Sequence, residues 1–378
     1  MQFGCFMYFQ ERDMPTRAMF DEYLDEITYA DALGFDEVWL AEHHFSSYAT
    51  LPAPNILLAS IAARTQRIRM GNMVTVLPLY EPLRLAEEIA MLDQLSKGRL
   101  NLGIGSGVAP DEMIRYGIPM EESKPRFHEA LEVLLSAFGR DRFDHHGRFY
   151  SYRDAALIPR PLQRPHPPLC QAVFSAASVR WCAERGVPIA RIYDRFEQAR
   201  LMVALYRETV ARAEARRTMG ADRIEGEVPP LLGRPGVRHF RVCYVAETTE
   251  QAMAEAVPEF FRHFRRFAHA RGFPDVDAPR LLHPSPEGWR ELVGTLKELG
   301  PHDFDELDAE EIVLFGDPER VRRKLERLRD EVGMDGFVGI FAFGNLSHER
   351  VCRSLRLFAE EVIPALQATD PCTHDRSQ

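Results

Sequence analysis

Eight times along the chain an apolar, strand-like run is followed by a segment with helical spacing, and that alternation narrows the fold more than any other feature. The strand-like runs are 2–9, 35–41, 68–78, 99–107, 169–175, 187–193, 237–247 and 335–345. Between and after them, apolar residues recur at helical spacing in 19–34, 54–65, 81–96, 122–139, 176–185, 194–217, 249–271, 317–332 and 347–366. Strand, helix, strand with short links means parallel pairing through right-handed crossovers. The runs are apolar on both faces, as a covered parallel sheet requires. The first units alone fit either an open doubly wound sheet or a closed barrel, and eight units favour the α/β class (β/α)8 TIM barrel. Residues 1–368 then form a single domain, with insertions at about 140–168, where "LIPRPLQRPHPPL" is too proline-rich for a core element, and at 272–311. The polar tail 369–378 reads as disordered.

Composition bounds the function classes. Net charge is −10 with acids spread along the chain, which argues against a nucleic-acid groove. The Arg-rich stretch at 262–271 reads as a solvated helix face. No apolar run reaches the roughly 20 residues of a membrane span, and "MQFGCFMYFQERDMP" lacks the basic start of a secretory leader. The expectation is a cytoplasmic protein. Six cysteines lie far apart and suggest neither a zinc site nor a disulfide framework. His145 and His146 lack a second ligand pair at useful spacing, so they read as a solvated loop and no metal is expected.

In a barrel of this kind chemistry gathers at the C-terminal ends of the strands. "VWLAEHHF" (38–45) places Glu42, His43 and His44 just past the second strand. An imidazole there suits proton transfer near neutral pH, and it also suits a plain hydrogen bond to a neighbouring carbonyl. Neighbours in extended chain point opposite ways, so at most one of the two histidines faces the pocket. "LGIGSGVAPDE" (102–112) offers glycines at 103, 105 and 107 after a strand, which fit close approach to a phosphate or an ordinary tight turn. In "FSAASVRW" (174–181), Ser175 is either a helix N-cap or part of a phosphate turn. Asn72, an amide inside an apolar strand, is expected to find a hydrogen-bond partner or a ligand edge.

"GFDEVWLAEHHF", "GNMVTVLPLYEPLRLAEEIAMLDQLSKGRLNLGIGSG", "SAASVRWCAERGVPI", "LFGDPERV" and "SLRLFAEEVIP" together resemble the bacterial luciferase-like, flavin-dependent monooxygenases, of the luciferase α-subunit type, over nearly the whole chain. The deazaflavin-using branch of that superfamily is a poorer match. The resemblance implies a TIM barrel that takes reduced FMN (FMNH2) as a diffusible co-substrate from a separate NAD(P)H:flavin reductase. O2 adds to the flavin C4a, and the peroxyflavin oxygenates a small organic substrate. The chain has no nicotinamide fingerprint of its own, which fits that division of labour.

Residue by residue, the resemblance makes His44 the catalytic histidine, with Glu42 and His43 orienting it. Asn72, Met73 and Val74 match the segment under the isoalloxazine ring, which often carries a non-proline cis peptide. Ser175, Ala176 and Ser178 match the phosphate turn. Ser106 stands where an Arg often serves the phosphate, and Lys124 or Arg126 would supply that charge. Phe174 stands where a small residue or an acid is common and would narrow the flavin slot, and Met73 is larger than the usual Ala. Arg191 would put a cation at the pocket rim for an acidic substrate, or form a structural ion pair. The family pairs subunits through the second and third helices, so a homodimer is expected. Two other readings stay open: a deazaflavin-dependent oxidoreductase moving a hydride, and a barrel without catalysis that serves as a flavin-binding or partner subunit.

Overall fold

Strand β1 (Gln2–Met7) is flanked by parallel partners on both sides, and following those pairings leads around a closed ring. The structure, a computed structural model, describes residues 1–218, 235–270 and 304–368. The ring continues through β2 (Glu37–Leu40), β3 (Arg69–Val76) and β4 (Leu100–Gly105). It passes over an antiparallel hairpin, β5 (Phe143–His146) with β6 (Ser151–Ala155), to β7 (Leu169–Ala172) and β8 (Ile189–Ile192). From β8 it runs to β9 (Val237–Val245) and, past β10 (Val313–Gly316), through β11 (Gly336–Ala342) back to β1. Eight parallel strands thus close a (β/α)8 barrel. The remaining strand of the sheet, β10, extends the far half of β9, with Val313 opposite Val242.

The strands are buried along their length because one set of side chains fills the barrel and the other meets the helices; all seven residues of β11 are buried. The helices between β1 and β9 are α1 (Thr16–Leu33), α2 (Pro54–Arg64), α3 (Pro82–Leu95), α4 (Pro110–Arg115), α5 (Met120–Gly139), α6 (Ala176–Glu184) and α7 (Phe196–Thr218). Then comes α8 (Thr249–Ala270), and among the described residues shorter helices lie at Phe304–Ala309, Pro318–Arg327, His348–Leu357 and Ile363–Ala368. In α1, Tyr23, Leu24, Ile27 and Ala30 recur at helical spacing and are buried. Its end is set by Gly34, whose φ of 92° is left-handed and whose N–H caps Ala30 and Asp31 carbonyls. On the same face Asp31 accepts the N–H groups of Gln66, Arg67 and Ile68 at 2.7, 3.0 and 2.7 Å, tying α1 to the entry of β3. Burial pushes the Asp31 carboxyl up, but these three donors outweigh it and hold the pKa below its ordinary value.

One end of the barrel is plugged. Arg238 Nε donates to Glu37 Oε1 at 2.8 Å, and Arg69 Nε donates to Asn101 Oδ1 at 2.8 Å, all at the N-terminal starts of their strands. Above this polar layer Phe6 and Phe240 meet edge to face at 5.2 Å. A cavity is left at the C-terminal ends.

The insertion expected at 140–168 holds the β5–β6 hairpin, so His145 and His146 lie on a strand rather than in a loop, with His145 Nε2 3.4 Å from Glu129 Oε1. Most of the excursion expected at 272–311, and the tail 369–378, lie outside the described residues. Among the described residues no helix is long and apolar enough to cross a membrane. Cys5, Cys170, Cys182 and Cys243 are buried in the core.

Candidate active site

Beyond Leu40 the chain stays extended, and its side chains alternate. Glu42 and His44 turn the same way and pair, Glu42 Oε1 to His44 Nε2, at 3.2 Å. Glu42 Oε2 accepts the Val76 N–H at 3.1 Å, and the Tyr80 hydroxyl is a further partner. Burial raises the Glu42 pKa; the bonds from His44, Val76 and Tyr80 oppose that rise without cancelling it. An ionised Glu42 can only accept, so His44 Nε2 then carries the hydrogen and Nδ1 accepts from the Tyr116 hydroxyl at 3.0 Å. Both nitrogens of His44 are thereby engaged, and of the pair Glu42 lines the cavity while His44 does not.

His43 also lines the cavity. Its Nδ1 lies 3.0 Å from Glu112 Oε1, a residue of the short helix α4, which also lines the cavity. An ionised Glu112 fixes the hydrogen of neutral His43 on Nδ1 and leaves the ring's lone pair on Nε2. The resemblance singled out His44. The geometry instead brings His43, with Glu42, into the cavity lining and leaves His44 outside it.

Met73 and Val74 of β3 line the cavity, and the peptide between them is cis. Asn72 does not line it. Its Nδ2 donates to Asn55 Oδ1 at 2.8 Å and to Thr75 Oγ1 at 3.2 Å, so the amide ties β3 to α2 and not to a ligand. Gly103 and Gly105, both inside β4, have a different cause from those the sequence suggested. A Cβ on Gly103 would stand 2.0 Å from the Asn72 carbonyl oxygen, and one on Gly105 would stand 2.6 Å from Val74 Cγ2. Both positions need glycine so that β4 can pack against the irregular part of β3; of the three glycines, Gly107, with φ 83°, lines the cavity.

A polar end of the cavity is built by Ser106, Gly107, Lys124, Ser175 and Ser178, with Phe174 beside them. Ser175 is the N-cap of α6, its Oγ accepting the Ser178 N–H at 3.2 Å, and it also lines the cavity. Its hydroxyl lies 3.1 Å from that of Ser178. Ala176 opens α6 without lining the cavity. Of the two candidate cations, Lys124 reaches the cavity. Arg126 is turned to Glu122 at 2.8 Å and over the Phe149 ring at 4.4 Å. Arg191 touches the cavity wall but forks onto buried Asp194 at 2.5 and 2.8 Å, with its third nitrogen on the Val173 and Phe174 carbonyls. Its charge is neutralised inside the wall, which is the ion-pair alternative and does not offer a cation to an acidic substrate.

Sequence reasoning missed Glu112, Gln171, Tyr8, Tyr48 and Tyr193. Gln171 had a signal, an amide inside the apolar run "LCQAVF". It lines the cavity, and its buried Oε1 has no hydrogen-bond partner among the described residues. An orphaned buried acceptor destabilises a fold unless a ligand donor meets it.

The model of luciferase-like monooxygenases matches residues 1–336 of this chain. The chain belongs to that family. An uncharacterized protein of Sinorhizobium fredii is 32% identical over 90% of this chain and 91% of its own length. The oxygenase component of a flavin-dependent trigonelline monooxygenase from Acinetobacter baylyi is 26% identical, covering 88% of this chain and 94% of its own. The crystal structure of the monooxygenase RslO1 from Streptomyces bottropensis superposes with a TM-score of 0.80 at 28% identity, over 97% of this chain and 99% of that one. Family membership makes this chain an oxidoreductase of the flavin-type monooxygenases.

The residues present fit a flavin mononucleotide. Gln171 Oε1 awaits a donor, and the isoalloxazine carries N–H groups. The hydroxyls of Ser175 and Ser178, the start of α6 and the Lys124 ammonium suit a phosphate. Met73, Val74 and Phe174 give apolar surface for a flat ring.

Proposed function

We propose that this protein is the oxygenase of a two-component system that takes FMN reduced by a separate NAD(P)H:flavin reductase and uses O2 to oxygenate a small organic substrate. The observation that carries the reading is one cavity lined by the His43–Glu112 pair, by apolar Met73 and Val74, and by Ser175, Ser178 and Lys124, groups that suit an anion. The Acinetobacter relative, an oxygenase component, supports the same division of labour.

Reduced FMN, when bound, supplies the electrons that activate O2. The chain's own residues do the rest. Lys124 and the α6 N-terminus hold the phosphate, and Gln171 accepts from the ring. Met73 and Phe174 limit the space around the ring, which favours modest affinity, as a diffusible cofactor requires. Glu112 holds the His43 ring in one orientation, so that its Nε2 can take or return a proton at the reacting centre. Glu42, at the cavity wall, and His44 beside it pair with each other and fix the backbone that carries His43.

Anaerobic titration of the protein with reduced FMN and, separately, with a reduced deazaflavin tests this. Tighter binding of reduced FMN is expected. Preference for the deazaflavin would favour hydride transfer instead, and no binding of either would leave the barrel without its cofactor.

A further inference from the structure

The turn that leads into α6, with Ser175 and Ser178, is held from outside by a residue of the neighbouring strand. β7 ends at Ala172, so the carbonyls of Val173 and Phe174 lie just past it. Arg191, on β8, donates from Nη1 to both, at 3.3 Å each. The Phe174 carbonyl belongs to the planar peptide that ends in the Ser175 nitrogen, so fixing it fixes the plane from which the α6 N-cap departs. Nε and Nη2 of the same guanidinium fork onto Asp194 at 2.5 and 2.8 Å. One rigid, planar group thereby joins the end of β8 to the start of α6, a task to which an ammonium is not suited.

The clamp is maintained against three unfavourable effects. Tyr193, between Arg191 and Asp194, has a φ of 59°, a left-handed conformation that strains a bulky residue. Arg191 and Asp194 are both buried, and an ion pair out of water adds little stability over apolar residues of the same volume. Burial pushes the Asp194 pKa up, but Arg191, and behind it Arg241, outweigh that and hold it below the ordinary value. Arg241 itself, on β9, is fully buried, and none of its three side-chain nitrogens has a hydrogen-bond partner among the described residues. It gives Asp194 a positive field and no bond, at the expense of its own hydration. Strain, a desolvated pair and an unpartnered cation converge on one contact, the one that fixes the turn before Ser175.

We infer that Arg191 and Asp194 are positioning residues for phosphate recognition: the guanidinium holds the Phe174–Ser175 peptide so that Ser175, Ser178 and the first N–H groups of α6 act on one anion. Its own charge is taken up by Asp194 and stays out of that contact. Naming the anion as the phosphate of FMN rests on the function proposed above. The pair then favours FMN over riboflavin by placing the groups that bind phosphate, and a small displacement of such groups is enough to weaken the contact.

The test takes two measurements on the full chain: anaerobic dissociation constants for reduced FMN and reduced riboflavin, and amide hydrogen exchange of residues 173–179 without flavin. In Arg191→Lys an ammonium can pair with Asp194 but cannot fork onto it and reach both carbonyls. Reduced FMN should weaken by about tenfold, the loss of one hydrogen bond to a charged group, while reduced riboflavin is unchanged. Exchange at 173–179 should quicken. Arg191→Met combined with Asp194→Leu removes the pair as a unit and leaves neither partner's charge stranded; it should melt near the wild type and show the same selective loss. If Arg191→Lys does not fold, the double variant decides. Equal losses for the two flavins, no loss for FMN, or unchanged exchange at 173–179 would each overturn the inference. A wild type that binds neither flavin would sink the oxygenase reading, and faster exchange confined to 173–179 in the variants would still support the clamp.

Discussion

Replacing each histidine of the pair in turn separates a side chain that holds the wall from one that faces the chemistry. In His44→Ala, the Glu42 carboxyl, whose side chain has 0% exposure, loses its partner at 3.2 Å. A hydrogen bond to a buried charge is worth about 1.5–3 kcal/mol. Tyr116 is 47% exposed, so its hydroxyl turns to water at little cost. Lost packing of a ring only 7% exposed adds on the order of 1 kcal/mol. The sum is about 3 kcal/mol. With 378 residues, the unfolding entropy is roughly 0.8 kcal/mol/K, so the melting temperature should fall by about 4 °C. His43→Ala leaves Glu112 on the cavity surface, where water reaches it, and should cost under about 1 kcal/mol. Removal of a general base typically slows its step by about 100-fold or more. Calorimetric melting, together with stopped-flow reaction of bound reduced FMN with O2, reads both effects. The reasoning fails if His43→Ala melts lower than His44→Ala while the O2 reaction responds only to the change at position 44.

Lys124→Ala and Ser178→Ala should each weaken reduced FMN by roughly 5- to 10-fold and leave reduced riboflavin unaffected, because only FMN has the phosphate; equal losses for the two flavins would place the phosphate elsewhere. Asp31→Asn should lower stability at pH 7 by about 1–3 kcal/mol, from the weakened bonds to three backbone donors. The folded pKa of Asp31 lies below its unfolded value, so its contribution is full above the usual carboxylate range and disappears as pH falls through the folded pKa. The gap between variant and wild type should therefore narrow in acid, and a gap independent of pH would refute the assignment. Ile56 on α2 and Met91 and Leu95 on α3 are 76%, 52% and 56% exposed, which is the face a homodimer through these helices would cover. Sedimentation should give twice the chain mass for the wild type and the single mass for Met91→Lys.

The barrel was legible because its signals are repeated and local. Every one of the eight closing strands, from Gln2–Met7 to Gly336–Ala342, falls inside an apolar run read from the sequence. Elements that escaped are short or polar. "VLFG" of β10 is four residues between charged segments, α4 is a six-residue helix, and "FDHH" and "SYRDA" of the hairpin are too exposed to alternate. Site residues were harder for a reason of parity. Extended backbone fixes that His43 and His44 diverge, but which of them points inward depends on how β2 sits in the barrel wall. Gly103 and Gly105 misled because a close strand contact and a close ligand contact demand the same residue. Glu112 was hidden because its partner is 69 positions away in sequence.

Reaction of O2 with reduced FMN bound to the wild-type protein tests the central claim most directly. Protein in excess over reduced FMN is mixed with oxygenated buffer, and the return of oxidised flavin is followed by absorbance. Slower return than for free reduced FMN is expected, with His43→Ala removing much of the difference. Return at the free flavin's rate, unchanged by added protein, would contradict a flavin seated against His43 in the barrel mouth.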